Sequence, residues 1–221
     1  MALILCIETA TTNCSVALAR DGEMIALKED NSKNYSHAEK LHIFIQEVVE
    51  ENGFDLKDLE AIAISKGPGS YTGLRIGVSA AKGLCFSLDI PLISVPTLKV
   101  LAQQVQPANE TDLIVPMLDA RRMEVYSVVF DAAFQEQRKT LAEVLSEDSF
   151  SEYLQKGKVY FIGSGVEKFQ NICDHPNALF FDDRFPSARE MCSLASAKYE
   201  KSDTEDVAYF EPYYLKDFIA G

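Results

Sequence analysis

Residues 61–77 read AIAISKGPGSYTGLRIG, and this stretch joins a short apolar run to a glycine-rich loop. The run Ala61 to Ser65 consists of small and β-branched residues, which is typical of a buried strand. Apolar residues return at helical spacing from about Thr72 to Leu88. Glycine in such a loop permits positive φ and close approach of another group. The order strand, loop, helix indicates an α/β protein.

The same alternation continues on both sides of this stretch and begins twice. Three strand-like runs open the chain, and a helix follows that starts with a capping box of Ser36 and Glu39. After the polar segment 106–111, a strand, a charged turn and a second strand repeat that opening. We therefore predict an internal duplication, with an N-terminal lobe over residues 1–107 and a C-terminal lobe over residues 108–221.

Charge and apolar content limit the function classes. Lys and Arg number 21 against 34 Asp and Glu, a net charge of −13, which disfavours unaided binding of nucleic acid. The charge is −4 over residues 1–107 and −9 over 108–221, so acidity is predicted to concentrate in the second lobe. No apolar run approaches the roughly 18 residues of a membrane span, and no basic leader precedes the first strand, so a cytoplasmic protein is expected. The five cysteines are scattered and form no CxxC pair, which favours reduced thiols.

Two polar turns could bind an anion or a nucleotide. In the glycine-rich loop, backbone N–H groups and hydroxyls stand at a helix start, although the ending of a Walker A loop is absent. The first hairpin turn adds an acid and hydroxyls. A turn that only reverses the chain, and a hairpin whose hydroxyls satisfy its own backbone, are the alternatives. The candidate residues are Glu8, Thr9, Gly67, Gly69, Ser70 and Thr72.

A stripe of small residues suggests close helix packing. Gly73, Gly77 and Ala81 recur every four residues, so another element can approach the backbone there. That element could belong to the same lobe or to another chain. The helix from Ser36 carries Ile43 and Phe44 beside its main apolar stripe, which widens its apolar surface beyond one contact face.

The turn Asp119 to Glu124 is the counterpart of the first hairpin turn in the second half. Its adjacent Arg121 and Arg122 could bind an anion or the carboxylates of a partner, or they could pair with the acids of their own turn. The three histidines form no metal-binding motif, so a zinc hydrolase would lack its usual ligands.

Several motifs together resemble the bacterial TsaB, or YeaZ-type, family. They keep their order over almost the whole chain and read IETA with CSVAL at 7–18, GPGSYTGLRIG at 67–77, DARRMEVY at 119–126 and PYYLK at 212–216. The resemblance implies an actin-like, sugar-kinase-like α/β fold of two duplicated lobes with mixed sheets flanked by helices. It also implies a role in forming N6-threonylcarbamoyladenosine in tRNAs that read ANN codons.

The resemblance further implies a division of labour with a catalytic relative, TsaD. That family holds its metal with a His-x3-His pair, whereas Thr97 and Leu101 occupy the matching positions here. A non-catalytic subunit is therefore implied, without a metal or cofactor of its own, the partners using ATP or ADP and metal. TsaD would bind the N-lobe helices, the ATPase TsaE would join the assembly, and tRNA would be contacted mainly through the complex.

The predicted TsaD contact lies on the helices that start near Ser36 and Thr72. Its residues are His37, Leu41, Phe44, Ile45, Val48, Gly73, Arg75, Gly77 and Ala81. Two other classes remain open from the residues alone. One is a small nucleotide-dependent phosphotransferase that uses Glu8, Thr9 and the glycine-rich loop. The other is a binding module that forms a homodimer without TsaD.

Overall fold

A computed structural model describes residues 2–32 and 37–216, and these fall into two compact units. Unit 1 comprises Met1–Val100 with Pro186–Tyr214, and unit 2 comprises Leu101–Phe185 with Leu215–Gly221. Each unit holds one five-stranded sheet. The duplication predicted from the sequence is therefore present as two sheets.

Unit 1 is built on a mixed sheet in the order β3-β2-β1-β4-β5. The first three strands form an antiparallel meander, and β4 and β5 run parallel to β1. The strands are β1 Leu3–Glu8, β2 Cys14–Arg20, β3 Glu23–Asp30, β4 Ala61–Ser65 and β5 Leu92–Val95. Its helices include α1 His37–Glu50 and α2 Tyr71–Leu88, and α3 Thr97–Ala102 ends two residues past the boundary at Val100.

The two faces of this sheet are covered by different helices. Side chains alternate along β1, so Leu5 and Ile7 pack with α1 and α2, whereas Ile4 and Cys6 point to the opposite face. A helix far along the chain, α6 Ala188–Tyr199, covers that second face. Burial on both faces explains why the central strands read as uninterrupted apolar runs.

Unit 2 repeats the topology of unit 1. Its sheet has the order β10-β9-β6-β7-β8, in which β6, β7 and β8 form the antiparallel meander and β9 and β10 the parallel pair. Its core contains aromatic rings of Phe150, Phe161 and Phe169. The strands are β6 Leu113–Asp119, β7 Glu124–Asp131, β8 Glu136–Val144, β9 Val159–Ile162 and β10 Ala178–Phe181, and the short helices are α4 Ser151–Leu154 and α5 Val166–Gln170.

The structure corrects the predicted boundary at residues 107 and 108. The segment 186–214 belongs to unit 1, because the apolar face of α6 packs against the sheet of that unit. This transfer also changes the charge distribution. Unit 1 carries a net charge of −7 and unit 2 carries −6, so the acidity is shared rather than concentrated in the second half.

Two further expectations concern single helices. The predicted capping box falls on Ser36, which lies outside the described residues. The described part of the chain contains no helix that is both long enough and apolar enough to cross a membrane.

Candidate functional site on unit 1

The glycine-rich loop packs against other parts of unit 1 and forms hydrogen bonds with them. Gly67 has a φ of 109°, and its N–H donates to Thr97 Oγ1 at 3.0 Å. Ser70 N–H donates to Ala10 O at 2.7 Å, and a Cβ added to Gly69 would lie 2.4 Å from the same oxygen. The loop therefore packs directly on the turn between β1 and β2, and the glycines make that approach possible.

Ser70 is the N-cap of α2, which begins at Tyr71, one residue before the predicted start near Thr72. Its Oγ accepts a hydrogen bond from Gly73 N at 3.3 Å, and its carbonyl accepts from Leu74 N at 2.9 Å. This hydroxyl is an N-cap. Thr72 is exposed in the first turn of the helix. Anion binding by Ser70 and Thr72 stays a prediction.

Glu8 is a fully buried acid at the end of β1. Its Oε1 accepts hydrogen bonds from Ala10 N at 2.6 Å and from Ser65 Oγ at 2.8 Å, whereas Oε2 has no hydrogen-bond partner among residues 2–32 and 37–216. Burial raises the pKa of Glu8 to about 7, although these hydrogen bonds lower it, and the nearby carboxylate of Glu190 raises it further. The side chain therefore exchanges a proton near neutral pH.

Thr9 connects the first turn to α2. It is completely buried, and its Oγ1 donates to Gly73 O at 2.8 Å. A Cβ on Gly73 would lie 2.1 Å from Thr9 O, and one on Gly77 would lie 2.2 Å from Thr9 Oγ1 and 3.1 Å from Ile64 Cδ1. The stripe of small residues thus accommodates the β1–β2 turn and the sheet of the same unit.

This packing corrects most of the predicted partner interface. Seven of the nine residues are buried within unit 1 and are not available on its surface: His37, Leu41, Ile45, Val48, Gly73, Gly77 and Ala81. His37 lies beneath the first turn, with its Nε2 2.8 Å from Thr11 O, and burial lowers the pKa of its imidazole. The main apolar stripes of α1 and α2 therefore form the core.

The other two predicted interface residues lie nearer the surface. Phe44 is partly buried, and Arg75 is exposed. The Arg75 guanidinium lies over the Tyr71 ring, 4.2 Å from its centroid, and Arg75 Nε donates to Tyr214 Oη at 3.3 Å. Arg75 therefore faces solvent and also links α2 to residues 208–214, which we call the C-terminal segment.

The exposed apolar surface of the two helices is carried by other residues. Ile43 on α1 is 53% exposed, and Phe86 on α2 is 84% exposed. Three residues before Phe86 on α2, a Cβ added to Gly83 would have no atom within 4 Å. The sequence signals Ile43 as a widening of the apolar face of α1, but Phe86 carries no signal that separates it from the core residues around it.

The C-terminal segment binds the loop and α2. Tyr213 N–H donates to Lys66 O at 2.7 Å, and the Tyr214 ring lies 5.0 Å from the Tyr71 ring. Lys82 Nζ donates to Ala208 O at 3.1 Å and to the carbonyl of residue 210 at 2.9 Å. Residues 208–214 therefore hold the beginning and the middle of α2.

The positions matched to a metal-binding histidine pair have other functions here. Thr97 is buried and accepts the hydrogen bond from Gly67 N, and Leu101 is buried in the apolar interior. Within the ranges that the structure describes, no group of three His, Cys, Asp or Glu side chains is placed to hold a metal ion.

The two units define the class of the protein. Each has an antiparallel meander followed by a parallel pair, with helices against the sheet, which is the actin-like, sugar-kinase-like fold. Comparison with known proteins agrees with this assignment. The solved structure described as YeaZ from Pseudomonas aeruginosa is 25% identical with a TM-score of 0.79, and the match covers 97% of this chain and all of that chain.

Sequence comparison then identifies the family. The family described as TsaD, tRNA N6-adenosine threonylcarbamoyltransferase, matches residues 31–220. The tRNA threonylcarbamoyladenosine biosynthesis protein TsaB of Escherichia coli strain K12 is 31% identical, the match covering 98% of this chain and 96% of that protein. The protein of the same name from Haemophilus influenzae is 30% identical, and that match covers 98% of this chain and 94% of that protein. The chain belongs to the TsaB family, which confirms the resemblance found in its motifs.

Proposed function

We propose that the protein is a non-catalytic subunit required for N6-threonylcarbamoyladenosine modification of tRNAs that read ANN codons. The observation that carries this proposal is the nearly full-length similarity to proteins named for the biosynthesis of this nucleoside. The chain's own residues support a non-catalytic role. Thr97 and Leu101 offer no imidazole where the catalytic relatives have one, and the N–H groups of Gly67 and Ser70 are already bonded to the chain.

The partner in this proposal is TsaD, and TsaE joins the larger assembly. The contact with TsaD uses the exposed flank of α1 and α2 rather than their buried stripes. Ile43 and Phe86 are large apolar side chains on the surface of those helices, and Gly83 leaves room for close approach of a partner backbone. Apolar side chains of this size at the centre of a contact carry much of its binding free energy.

A reconstituted reaction tests the role of the chain. A mixture complete except for this protein should form little threonylcarbamoyladenosine, measured by mass spectrometry of digested tRNA, and addition of the purified chain should restore it. Undiminished modification without the chain would contradict a required subunit. Turnover of ATP by the isolated chain would favour the phosphotransferase instead.

The proposed contact is tested by Phe86→Asp. We expect at least a tenfold weaker affinity for TsaD by calorimetry, because an acid replaces an exposed aromatic side chain. Phe181→Asp makes the same chemical change at a partly exposed position of unit 2 and should leave the affinity unchanged. Thermal unfolding verifies that both variants are folded. Equal affinities of Phe86→Asp and the wild type would contradict the α1–α2 contact.

A further inference from the structure

In the turn between β6 and β7, the two acidic side chains form ion pairs with lysines and not with the guanidinium groups of the turn. Asp119 Oδ1 pairs with Lys168 Nζ at 2.8 Å and accepts a hydrogen bond from Arg121 N at 2.6 Å. The carboxylate of Glu124 pairs with Lys216. The sequence left open whether the arginines pair with these two acids, and the structure shows lysines in that position.

Arg121 and Arg122 are consequently available to another molecule. Both are exposed, and neither guanidinium has a hydrogen bond or ion pair among residues 2–32 and 37–216. Both residues have positive φ, 73° and 49°, so the turn brings two successive residues into the left-handed region. Such a conformation has a free-energy cost for non-glycine residues and recurs at binding sites.

Exposed apolar side chains lie beside these arginines. Met123 is next in the chain and is 39% exposed. Its carbonyl accepts a hydrogen bond from Leu145 N at 2.8 Å, which brings the end of β8 against the turn. The last residue of that strand, Val144, is 71% exposed and pairs with Glu124 across the sheet. The four side chains of Arg121, Arg122, Met123 and Val144 form what we call the arginine patch.

We propose that the arginine patch docks an acidic protein segment that also presents an apolar side chain. Two guanidinium groups can each form paired hydrogen bonds with a carboxylate, and Met123 and Val144 offer the apolar contact. A polynucleotide fits less well, because its many phosphates would be repelled by the net charge of −6 on unit 2. Phosphates would also gain nothing from contact with the apolar side chains of Met123 and Val144. The arginine patch belongs to unit 2 and shares no residue with the contact proposed for α1 and α2 of unit 1, so the proposal does not depend on the one for TsaD.

The test is photo-cross-linking in the full-length protein inside its own cells. A benzophenone amino acid replaces Val144, and cross-linked products are identified by mass spectrometry at the level of the peptide. We expect one protein partner, joined through a segment with net negative charge that includes an apolar side chain. Arg121→Glu with Arg122→Glu should reduce the yield at least tenfold, whereas Arg121→Lys with Arg122→Lys, which keeps the charge, should retain part of it.

A matched control separates this surface from a general effect of charge. Lys139→Glu with Arg184→Glu makes the same change in net charge at exposed positions of unit 2 and should leave the yield unchanged. Thermal unfolding shows that every variant is folded. The proposal is overturned by RNA as the cross-linked species, by absence of any adduct, by a segment without acidic residues, or by equal yields from the two glutamate variants.

Discussion

At the scale of single residues, Gly77 and Gly83 share one helix but have opposite surroundings. A Cβ at position 77 would lie 2.2 Å from Thr9 Oγ1, whose hydroxyl is already bonded to Gly73 O, whereas one at position 83 meets nothing within 4 Å. Gly77→Ala must therefore displace Thr9 and break a buried hydrogen bond, which should cost about 2 kcal/mol or more. Gly83→Ala should instead gain up to about 1 kcal/mol from helix propensity.

Urea unfolding of the two variants measures this difference. Because both substitutions add one methyl group to α2, they have the same intrinsic helix propensity, and only their surroundings distinguish them. Similar free energies of unfolding would show that the helix does not pack on Thr9. The four-residue spacing of the glycines predicts close packing, but it does not identify the β1–β2 turn as the neighbour, since that turn is distant in sequence.

Glu8 should make the stability of the fold depend on pH. Its pKa is about 7 in the folded state against an ordinary 4.5, so the folded state binds the proton more tightly. The contribution of Glu8 to the free energy of unfolding is therefore fully present below about pH 4.5. It is lost as the pH rises through 7, which lowers the free energy of unfolding by about 3 kcal/mol. In Glu8→Gln the amide stays neutral, Oε1 can still accept both hydrogen bonds, and this loss should disappear.

Chemical denaturation of the wild type and of Glu8→Gln between pH 4.5 and 8 tests whether the free energy of unfolding falls as the pH rises. The lowered pKa of His37 acts in the opposite direction, removing stability as the pH falls below about 6.5, so the difference between the two proteins isolates Glu8. Glu110→Gln, at an exposed position, should follow the wild type throughout. A pH-independent difference between Glu8→Gln and the wild type would rule out a proton on Glu8.

At the scale of elements, the C-terminal segment should stabilise α2 through one of two adjacent aromatic residues. Phe210 packs on the core of unit 1, whereas Tyr209 is 84% exposed. Phe210→Ala should lower the free energy of unfolding by about 2 kcal/mol, less than for a fully buried ring, and Tyr209→Ala should change it little. Hydrogen exchange at the Tyr213 amide, which bonds to Lys66 O, should accelerate in the first variant alone. Unchanged exchange would mean that the segment is held elsewhere.

The elements themselves were predictable to different degrees. The helical spacing of apolar residues in Ala188–Tyr199 makes the presence of α6 predictable. It does not assign α6 to unit 1, since amphipathicity shows that one face is buried but not which sheet buries it. The edge strands β8 and β10 carry no comparable signal. β8 reads EQRKTLAEV, and β10 has only four residues. The side chains of both strands are exposed or partly buried, unlike those of the central strands.

At the scale of the whole molecule, charge weighs against tRNA binding by this chain without partners. The predicted concentration of acid in residues 108–221 followed from the boundary at 107, and the transfer of 186–214 spreads it to −7 and −6. Both units thus repel a polyanion. Charge therefore does not distinguish the two units as surfaces for tRNA.

The isolated chain should bind tRNA no more tightly than roughly 10⁻⁴ M at physiological salt, the weak end of non-specific binding. Filter binding at 50 and 200 mM salt measures both the affinity and its salt dependence, with the same tRNA in the complete assembly as the positive control. Because few phosphates can be neutralised, the salt dependence of the chain should be shallow. Submicromolar binding that weakens steeply with salt would instead reveal a basic surface, and its loss in Arg121→Glu with Arg122→Glu would place tRNA on the arginine patch.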